Sequence, residues 1–376
     1  MIPRFYKSLE KILPQNKVLI IYGSRRVGKK TLLNNLLEGS VLKYKIESGD
    51  NIRISKILSS KDFGLLSEYA EGYDLIAIDE AQEIKGIGMG LKILIDNNPG
   101  LKLIATGSSS FDLSHKIGEP LPGRKKVILL FPFSQGELLE HFSTFELHER
   151  LHEFLIFGAY PEVVTAPTRQ EKIEILDELV GSYLLKDILS LENIRNPSVL
   201  LNLLKLLAFQ VGNLVAVNEL AKQLSVDGKT IIRYLDLLEK TFIIFKISAY
   251  SNNPRKEISK KSKYYFFDNG IRNGIIMQFA QIDMRNDIGQ LWENFMVSEI
   301  YKKNSYQKLF QQLFFWRNYN QQEIDLIIEK DGRLQTIELK WKKDSGKIPA
   351  DFKRKYGDVE FKIINQHNYM DFLKQS

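Results

Sequence analysis

The stretch KVLIIYGSRRVGKKTLLNNLL, residues 17–37, decides the expected fold. An apolar run ends at Gly23, a glycine-containing turn follows, and leucines then recur at three- and four-residue spacing. This order predicts a strand, a glycine loop and a helix. Gly23 to Lys29 fit the first seven positions of the phosphate-loop pattern G-x-x-x-x-G-K-[ST] in the context that it requires.

The predicted loop has the chemistry to hold phosphates. Its glycines let backbone N–H groups converge on phosphate oxygens, the following helix directs its positive end toward them, and Lys29 adds a point charge. We therefore expect ATP or ADP as the ligand. A tight glycine turn without a ligand is the weaker alternative. The expected binding residues are Gly23, Ser24, Arg25, Arg26, Val27, Gly28, Lys29, Lys30 and Thr31.

The eighth position of the loop departs from the pattern. A Ser or Thr hydroxyl normally binds Mg²⁺ there, whereas this chain has Lys30, with Thr31 one place later. One residue along a helix rotates the side chain by about 100°, so Thr31 does not simply replace the missing ligand. The sequence leaves hydrolysis of ATP open and predicts a weaker dependence on Mg²⁺ than usual.

Two later apolar runs end in polar residues. Residues 74–79 end in Asp79, followed by Glu80, which are the residues expected to hold Mg²⁺ through water and to polarise the attacking water. The run 101–106 ends in Thr106, which is a candidate sensor of the terminal phosphate, although a plain strand-to-loop turn explains it equally well.

The remaining pattern divides the chain into segments. Strand-like runs at 41–46, 74–79, 101–106 and 126–131, separated by helix-length segments, predict a parallel α/β sheet of a P-loop NTPase over residues 1–134. Helical spacing dominates 135–212, which we interpret as a helical lid. Two helices around the turn at Asp227 and Gly228, and then a strand, suggest a winged helix over 213–250.

Acidic residues and one lysine form a pattern in the β-rich part, 251–376. Asp325, Glu338 and Lys340, with Glu293 on a preceding amphipathic stretch, have the layout of a PD-(D/E)xK nuclease core. Glu338 and Lys340 share one face of a strand because alternate residues point the same way. Asp325 and Glu338 would hold Mg²⁺, and Lys340 would orient water or neutralise charge. A structural or DNA-binding remnant without catalysis is the other interpretation.

Composition narrows the possible chemistry. The 376 residues include no cysteine, which excludes disulfides, thiolate metal sites and thiol nucleophiles and favours Mg²⁺ or Mn²⁺ as the metal. The net charge of +7 is uneven: residues 251–376 contain 22 basic and 16 acidic side chains, the rest 31 and 30. No apolar run reaches the roughly 18 residues that span a bilayer, so we expect a cytoplasmic protein without a membrane partner.

Taken together, these strings resemble the bacterial and archaeal AAA-type ATPases that have a C-terminal domain of unknown function. The strings are GSRRVGKKTLL, YDLIAIDEAQEI, LIATGSSSFDL, LPGRKKVILLFPFSQGELL, FGAYPEVV, ELAKQLSVDGKTIIRYLDLLEKTFII and EIDLIIEKDGRLQTIELK, and their order covers nearly the whole chain. The resemblance implies ATPase activity, which Lys30 calls into question. It also implies Arg124 as a transition-state arginine, which a surface basic loop explains nearly as well.

Two further patterns concern partners and metals. Lys229, Thr230, Arg233 and Tyr234 begin the expected recognition helix and suit contacts to DNA, although winged helices also bind proteins. His148 to His152 match the zinc pattern H-E-x-x-H, but Glu171 and Glu174 are only loose candidates for a third ligand, so we reject zinc proteolysis.

Two hypotheses about function follow. In the first, the chain is an ATP-binding AAA-type switch that acts on DNA. In the second, it is a DNA-binding or Mg²⁺-dependent DNA-cleaving protein whose nucleotide site is largely structural. Either is compatible with an oligomer.

Overall fold

The computed structural model describes residues 2–108, 121–184, 194, 196–251 and 262–375. The chain forms two compact units. The N-terminal unit comprises Arg4–Phe131 with Lys240–Phe242, and the C-terminal unit comprises Met1–Pro3, Pro132–Glu239 and Ile243–Ser376.

A five-stranded parallel sheet forms the centre of the N-terminal unit, in the order β2-β3-β4-β1-β5. This confirms the predicted α/β class with a parallel sheet. The strands are β1 (Val18–Tyr22), β2 (Tyr44–Ser48), β3 (Leu75–Asp79), β4 (Lys102–Gly107) and β5 (Lys125–Leu129). The helices are α1 (Leu9–Ile12), α2 (Lys29–Leu37), α3 (Ile52–Ser59), α4 (Phe63–Ala70) and α5 (Ile87–Asn97), with a 3-10 turn at Ala81–Glu83.

Every residue of β1 and β3 is buried, because a parallel sheet with both faces covered needs apolar side chains on both sides of each strand. Helices α3 and α4 begin at side-chain caps, where Asn51 accepts from the backbone of Arg53 and Asp62 accepts from that of Leu65. Local sequence therefore fixes where these covering helices start.

The C-terminal unit begins with short helices. They are α6 (Gln135–Leu138), α7 (Thr144–Glu149), α8 (Leu151–Phe157), α9 (Pro161–Thr165) and α10 (Arg169–Glu178), a π-helical turn at Leu179–Leu184, α11 (Pro197–Phe209), α12 (Val217–Gln223) and α13 (Gly228–Lys240). Ser134 and Glu137 form a capping box at α6, and Ser143 and Glu146 form another at α7.

A seven-stranded sheet completes this unit, in the order β12-β11-β10-β9-β7-β8-β6. Its strands are β6 (Leu214–Val215), β7 (Ile244–Ala249), β8 (Ser262–Phe266), β9 (Gln312–Arg317), β10 (Glu323–Lys330), β11 (Arg333–Leu339) and β12 (Glu360–Ile364). The remaining helices are α14 (Asn269–Ile275), α15 (Ile288–Gln307), α16 (Ala350–Tyr356) and α17 (Tyr369–Lys374), with a 3-10 turn at Ile282–Met284.

One parallel pair makes this sheet continuous. β6, β8 and β7 form an antiparallel set, and β7 then pairs with β9 through Ser248 opposite Phe314 and Ala249 opposite Phe315. The strands that follow α13 and the strands that carry Asp325 and Glu338 thus lie in one sheet.

Candidate functional sites

The phosphate loop connects the carboxyl end of β1 to the first turn of α2. Lys29, the first residue of α2, is only 6% exposed. Its ammonium group donates to the carbonyl oxygen of Gly23 at 2.9 Å and to that of Ser24 at 3.0 Å. The side chain therefore folds back over its own loop, which places its charge beside the helix N-terminus.

The two glycines of the loop are required by geometry. A Cβ at Gly23 would lie 2.2 Å from the carbonyl oxygen of Leu130, so no other residue fits there without moving the backbone. Gly28 has a φ of +91° and Arg26 a φ of +59°, both in the left-handed region. Left-handed residues in a loop turn successive N–H groups into one concavity, which is the arrangement that binds anions.

The departure at the eighth position is visible in the structure. The side chains of Lys30 and Thr31 are exposed on α2, whereas Val27 and Lys29 are buried. Ser24, Arg25 and Arg26 are partly exposed.

Asp79 and Thr106 meet at the carboxyl ends of neighbouring strands. The buried Thr106 hydroxyl donates to Asp79 Oδ1 at 2.5 Å and accepts from the backbone N–H of Glu80 at 3.2 Å. Thr106 also lies opposite Ile21 of β1, so the phosphate loop, Thr106 and Asp79 follow three adjacent strands. β1 and β3 are about 9.5 Å apart at ordinary strand spacing. The carboxyl edge of a parallel sheet is where such folds bind ligands.

Glu80 has a constrained backbone. Its φ is +50°, and a Cβ at Gly49 would lie 2.2 Å from its carbonyl oxygen. Its carboxylate accepts a hydrogen bond from Nε2 of Gln82, which is buried. Sequence reasoning missed Gln82, although its place two residues after the carboxylate in DEAQ was a usable signal.

Arg124 lies at the opposite edge of the same sheet. It precedes β5, and its carbonyl oxygen accepts from the N–H of Val18 at the start of β1. Its guanidinium binds Asp96 at 2.7 Å. The structure therefore does not bring Arg124 to the phosphate loop of its own unit.

In the C-terminal unit, Asp325 and Glu338 face each other across β10 and β11. Leu326 pairs with Ile337 in this antiparallel register, which places the preceding Asp325 opposite the following Glu338. The backbone N–H of Leu339 donates to Asp325 Oδ2 at 2.7 Å. The β9–β10 register shifts between Ile324 and Ile327, and such a bulge re-aims the side chains next to it.

Glu293 joins this cluster from α15. Its Oε1 accepts from the Tyr265 hydroxyl at 2.6 Å and from the Lys263 ammonium at 2.9 Å. The Lys263 side chain, only 2% exposed, also forms an ion pair with Glu323 at 2.5 Å. Sequence analysis missed Lys263, Tyr265 and Glu323, because their roles depend on strand pairing that no local pattern reveals.

The cluster changes the proton affinities of Asp325 and Lys340. Burial, with Glu293 and Glu338 nearby, raises the pKa of Asp325 to about 7. Lys340 forms an ion pair with Glu338 at 2.6 Å. Burial alone would lower the pKa of Lys340, but Glu338 and the other carboxylates raise it. The four predicted residues Glu293, Asp325, Glu338 and Lys340 thus act on one another electrostatically.

Within the parts of the chain that the structure describes, no group of three or more His, Cys, Asp or Glu side chains has the arrangement of a metal site. Asp325 and Glu338 supply two opposed carboxylates, which suits a hard cation such as Mg²⁺. Glu293 is already bound to Lys263 and Tyr265. Asp79 Oδ1 accepts a hydrogen bond from the hydroxyl of Thr106.

The H-E-x-x-H segment does not form one helix. α7 ends at Glu149, and α8 begins at Leu151. The His148 ring packs edge-on against Tyr369 at 5.0 Å, and the His152 ring lies 5.7 Å from that of Trp341. These imidazoles are part of aromatic packing.

Of the residues on helix α13 that the sequence suggested as DNA contacts, some are exposed and one is buried. Asp227 caps the helix by accepting from the backbone and hydroxyl of Thr230. Lys229 and Arg233 are exposed, whereas the Tyr234 side chain is only 2% exposed. Tyr234 is thus a core residue and not the surface contact that the sequence suggested.

Comparison with known proteins assigns the phosphate-loop segment. Residues 15–139 match the family model of the AAA domain. This segment is therefore similar to an AAA domain. Residues 148–282 and 288–370 match two domains of unknown function, DUF8612 and DUF4143. The predicted combination of an AAA-type domain with a C-terminal domain of unknown function is thereby confirmed.

Curated relatives align with most of this chain. An uncharacterized protein of Mycobacterium tuberculosis is 26% identical over 338 residues, covering 88% of this chain and 72% of its own length. One from Haemophilus influenzae is 28% identical, covering 69% of each. Among solved structures, the Walker-type ATPase PABY2304 of Pyrococcus abyssi is 18% identical to this chain. The match covers 71% of this chain and 93% of that chain, with a TM-score of 0.48.

Among the helices that the structure describes, none has the length and apolar character that a membrane span requires.

Proposed function

We propose that the chain is an ATP-binding protein of the AAA type, a nucleotide-driven switch that acts on DNA. The observation that carries the nucleotide part is the position of Lys29, held by Gly23 and Ser24 at the carboxyl end of β1. Phosphate oxygens would replace these carbonyl oxygens as its partners, and the backbone N–H groups around Gly28 would complete the cradle.

The same site is poorly equipped for Mg²⁺. Asp79 supplies a carboxylate and Thr106 fixes its orientation, but Lys30 stands where a hydroxyl ligand is required. When bound, Mg²⁺ would neutralise charge on the outer phosphates. Here Asp79 would hold it through water, and Glu80, oriented by Gln82, would polarise the attacking water. The site therefore favours binding over fast hydrolysis.

Nucleotide binding measured with and without Mg²⁺ tests this proposal. A fluorescent ATP analogue should bind the wild type with similar affinity in EDTA and in Mg²⁺. Lys29→Met should weaken binding by about 100-fold because it removes a charge-assisted contact to phosphate. Lys30→Met, a matched change at the exposed neighbour, should leave binding in EDTA within roughly threefold. Equal binding by wild type and Lys29→Met would refute a nucleotide site at this loop.

The DNA part of the proposal rests on residues 213–250. We propose that they form a winged helix, since strand β6, helices α12 and α13 and strand β7 follow one another in that order, and β8 pairs with both β6 and β7. Lys229 and Arg233 on the exposed side of α13 would contact the phosphate backbone. Duplex binding should lose about tenfold in a Lys229→Gln, Arg233→Gln double variant, with a shallower dependence on salt.

The alternative function is Mg²⁺-dependent cleavage of DNA. The opposed carboxylates of Asp325 and Glu338, with Lys340 bound to Glu338, favour it. Plasmid nicking in Mg²⁺ by wild type, compared with Asp325→Ala and Lys340→Met, decides between an active centre and a remnant. Nicking that persists in Asp325→Ala would be evidence of a contaminating nuclease and against the alternative.

A further inference from the structure

The β9–β10 turn exposes an aromatic side chain and is closed by hydrogen bonds. Tyr319 at its tip is fully exposed. Asn318 and Gln322 hold the turn closed: Asn318 N–H donates to the Gln322 carbonyl oxygen at 3.0 Å, and Gln322 N–H donates to Asn318 Oδ1 at 2.9 Å. The Asn318 amide also donates to Gln322 Oε1 at 2.8 Å. Tyr319 thus lies in a turn that three hydrogen bonds between Asn318 and Gln322 close.

Cationic side chains flank this turn. The Asn318 amide donates to Asp351 Oδ2 at 2.8 Å, and Arg354 of α16 donates to the other oxygen of the same carboxylate at 2.7 Å. One carboxylate therefore joins the turn to a guanidinium that is 79% exposed. On the other side, Arg317 is hydrogen-bonded to Gln321 and lies 3.4 Å from Glu323.

The sequence around α16 adds to this positive charge. Residues 341–355 contain six basic and two acidic side chains, so the segment carries a net charge of +4. Lys353 and Arg354 are both exposed on α16. A phosphodiester backbone is the partner that such a segment attracts.

We propose that Tyr319, Arg317 and Arg354 form a contact surface for single-stranded nucleic acid, with the Tyr319 ring stacked on an unpaired base. An aromatic ring with adjacent cations is the combination that binds single strands without sequence preference, because every base has a stacking face and every nucleotide a phosphate. Bases paired in a duplex do not offer that face to a turn at the protein surface. This inference rests on the proposed DNA-directed role, and it specifies the strand form.

Binding of the full chain to labelled oligothymidine and oligouridine of about 20 nucleotides, in EDTA to prevent cleavage, tests the inference. Tyr319→Ala should weaken single-strand binding about tenfold, Tyr319→Trp should retain it, and duplex binding should stay unchanged. The exposed aromatic Phe145, on α7 of the same unit, provides the control: Phe145→Ala should bind like wild type. The two oligonucleotides distinguish DNA from RNA as the source of the strand.

Salt dependence separates stacking from charge. Arg354→Gln should reduce the slope of log affinity against log salt by about 0.7, one phosphate contact, whereas Tyr319→Ala should leave the slope unchanged. Single-strand binding that is equal in wild type and Tyr319→Ala overturns the inference. In that case, a loss of duplex binding in the Lys229→Gln, Arg233→Gln variant would still support the proposed DNA role. The proposed DNA role and the Tyr319 surface can therefore fail independently.

Discussion

Asp325 and Glu338 lie directly opposite each other across the β10–β11 pair, and their like charges share one partly buried environment. Burial and the neighbouring Glu293 and Glu338 raise the pKa of Asp325 to about 7. The unfolded chain releases this proton near pH 4, so the folded state holds it more tightly. The resulting contribution to stability is complete below about pH 4 and is lost as the pH rises to about 7.

Replacing this carboxyl group should stabilise the protein near neutral pH. We predict that Asp325→Asn raises the free energy of unfolding by roughly 2 kcal/mol at pH 8 and has a much smaller effect at pH 4. Chemical denaturation at both pH values measures this. Asp331→Asn, in the exposed turn of the same hairpin, should change little at either pH. A pH-independent effect of Asp325→Asn would contradict a shared buried charge.

Lys263 compensates the charge of two carboxylates, Glu293 and Glu323. We predict that Lys263→Met lowers the free energy of unfolding by about 3–5 kcal/mol, because removing one partner leaves buried charges unpaired. Adding Glu293→Gln to Lys263→Met should recover part of the loss, which a double-mutant cycle measures. Strictly additive losses in the two single variants would mean that the pair contributes no coupling.

Thr106, the candidate sensor of the terminal phosphate, donates a hydrogen bond to Asp79, the candidate metal ligand. Thr106→Val keeps the shape but removes the hydroxyl that serves both Asp79 and the N–H of Glu80. We predict a loss of about 1–3 kcal/mol in stability, because a buried carboxylate loses its donor. Any ATP turnover should fall by about tenfold or more, with nucleotide affinity nearly unchanged. Thr106→Ser should restore both quantities, and a failure to do so would place the effect in packing.

Much of the fold was predictable from local sequence. The expected runs at 74–79 and 101–106 correspond to β3 (Leu75–Asp79) and β4 (Lys102–Gly107), because buried parallel strands need continuous apolar residues. The sequence was also sufficient to predict that Asp325 lies opposite Glu338. Asp331 and Gly332, with φ of +51° and +77°, form a two-residue hairpin turn, and counting back from such a turn fixes every opposing pair.

Other features depended on contacts that sequence does not reveal. Lys263 stands in a polar stretch of sequence, yet it is buried in β8 against carboxylates 30 and 60 residues away. Tyr234 was assigned to a surface, but the apolar face of α13 includes it together with Ile231, Leu235 and Leu238. In both cases, pairing and packing between distant segments, not local propensity, set the environment.

The last prediction concerns the eighth position of the phosphate loop. Lys30 is exposed at the start of α2 and replaces the hydroxyl that would complete a Mg²⁺ site beside Asp79. We predict that Lys30→Thr makes nucleotide binding Mg²⁺-dependent and raises ATP turnover by roughly tenfold or more, since it supplies the missing ligand and removes a competing cation. Lys30→Ala, which removes the charge without adding a hydroxyl, is the matched control and should gain much less. Turnover should fall again when Glu80→Gln is added to Lys30→Thr, because the proposed water-polarising carboxylate is then lost. If Lys30→Thr and Lys30→Ala respond identically to Mg²⁺, the missing hydroxyl is not what limits this site.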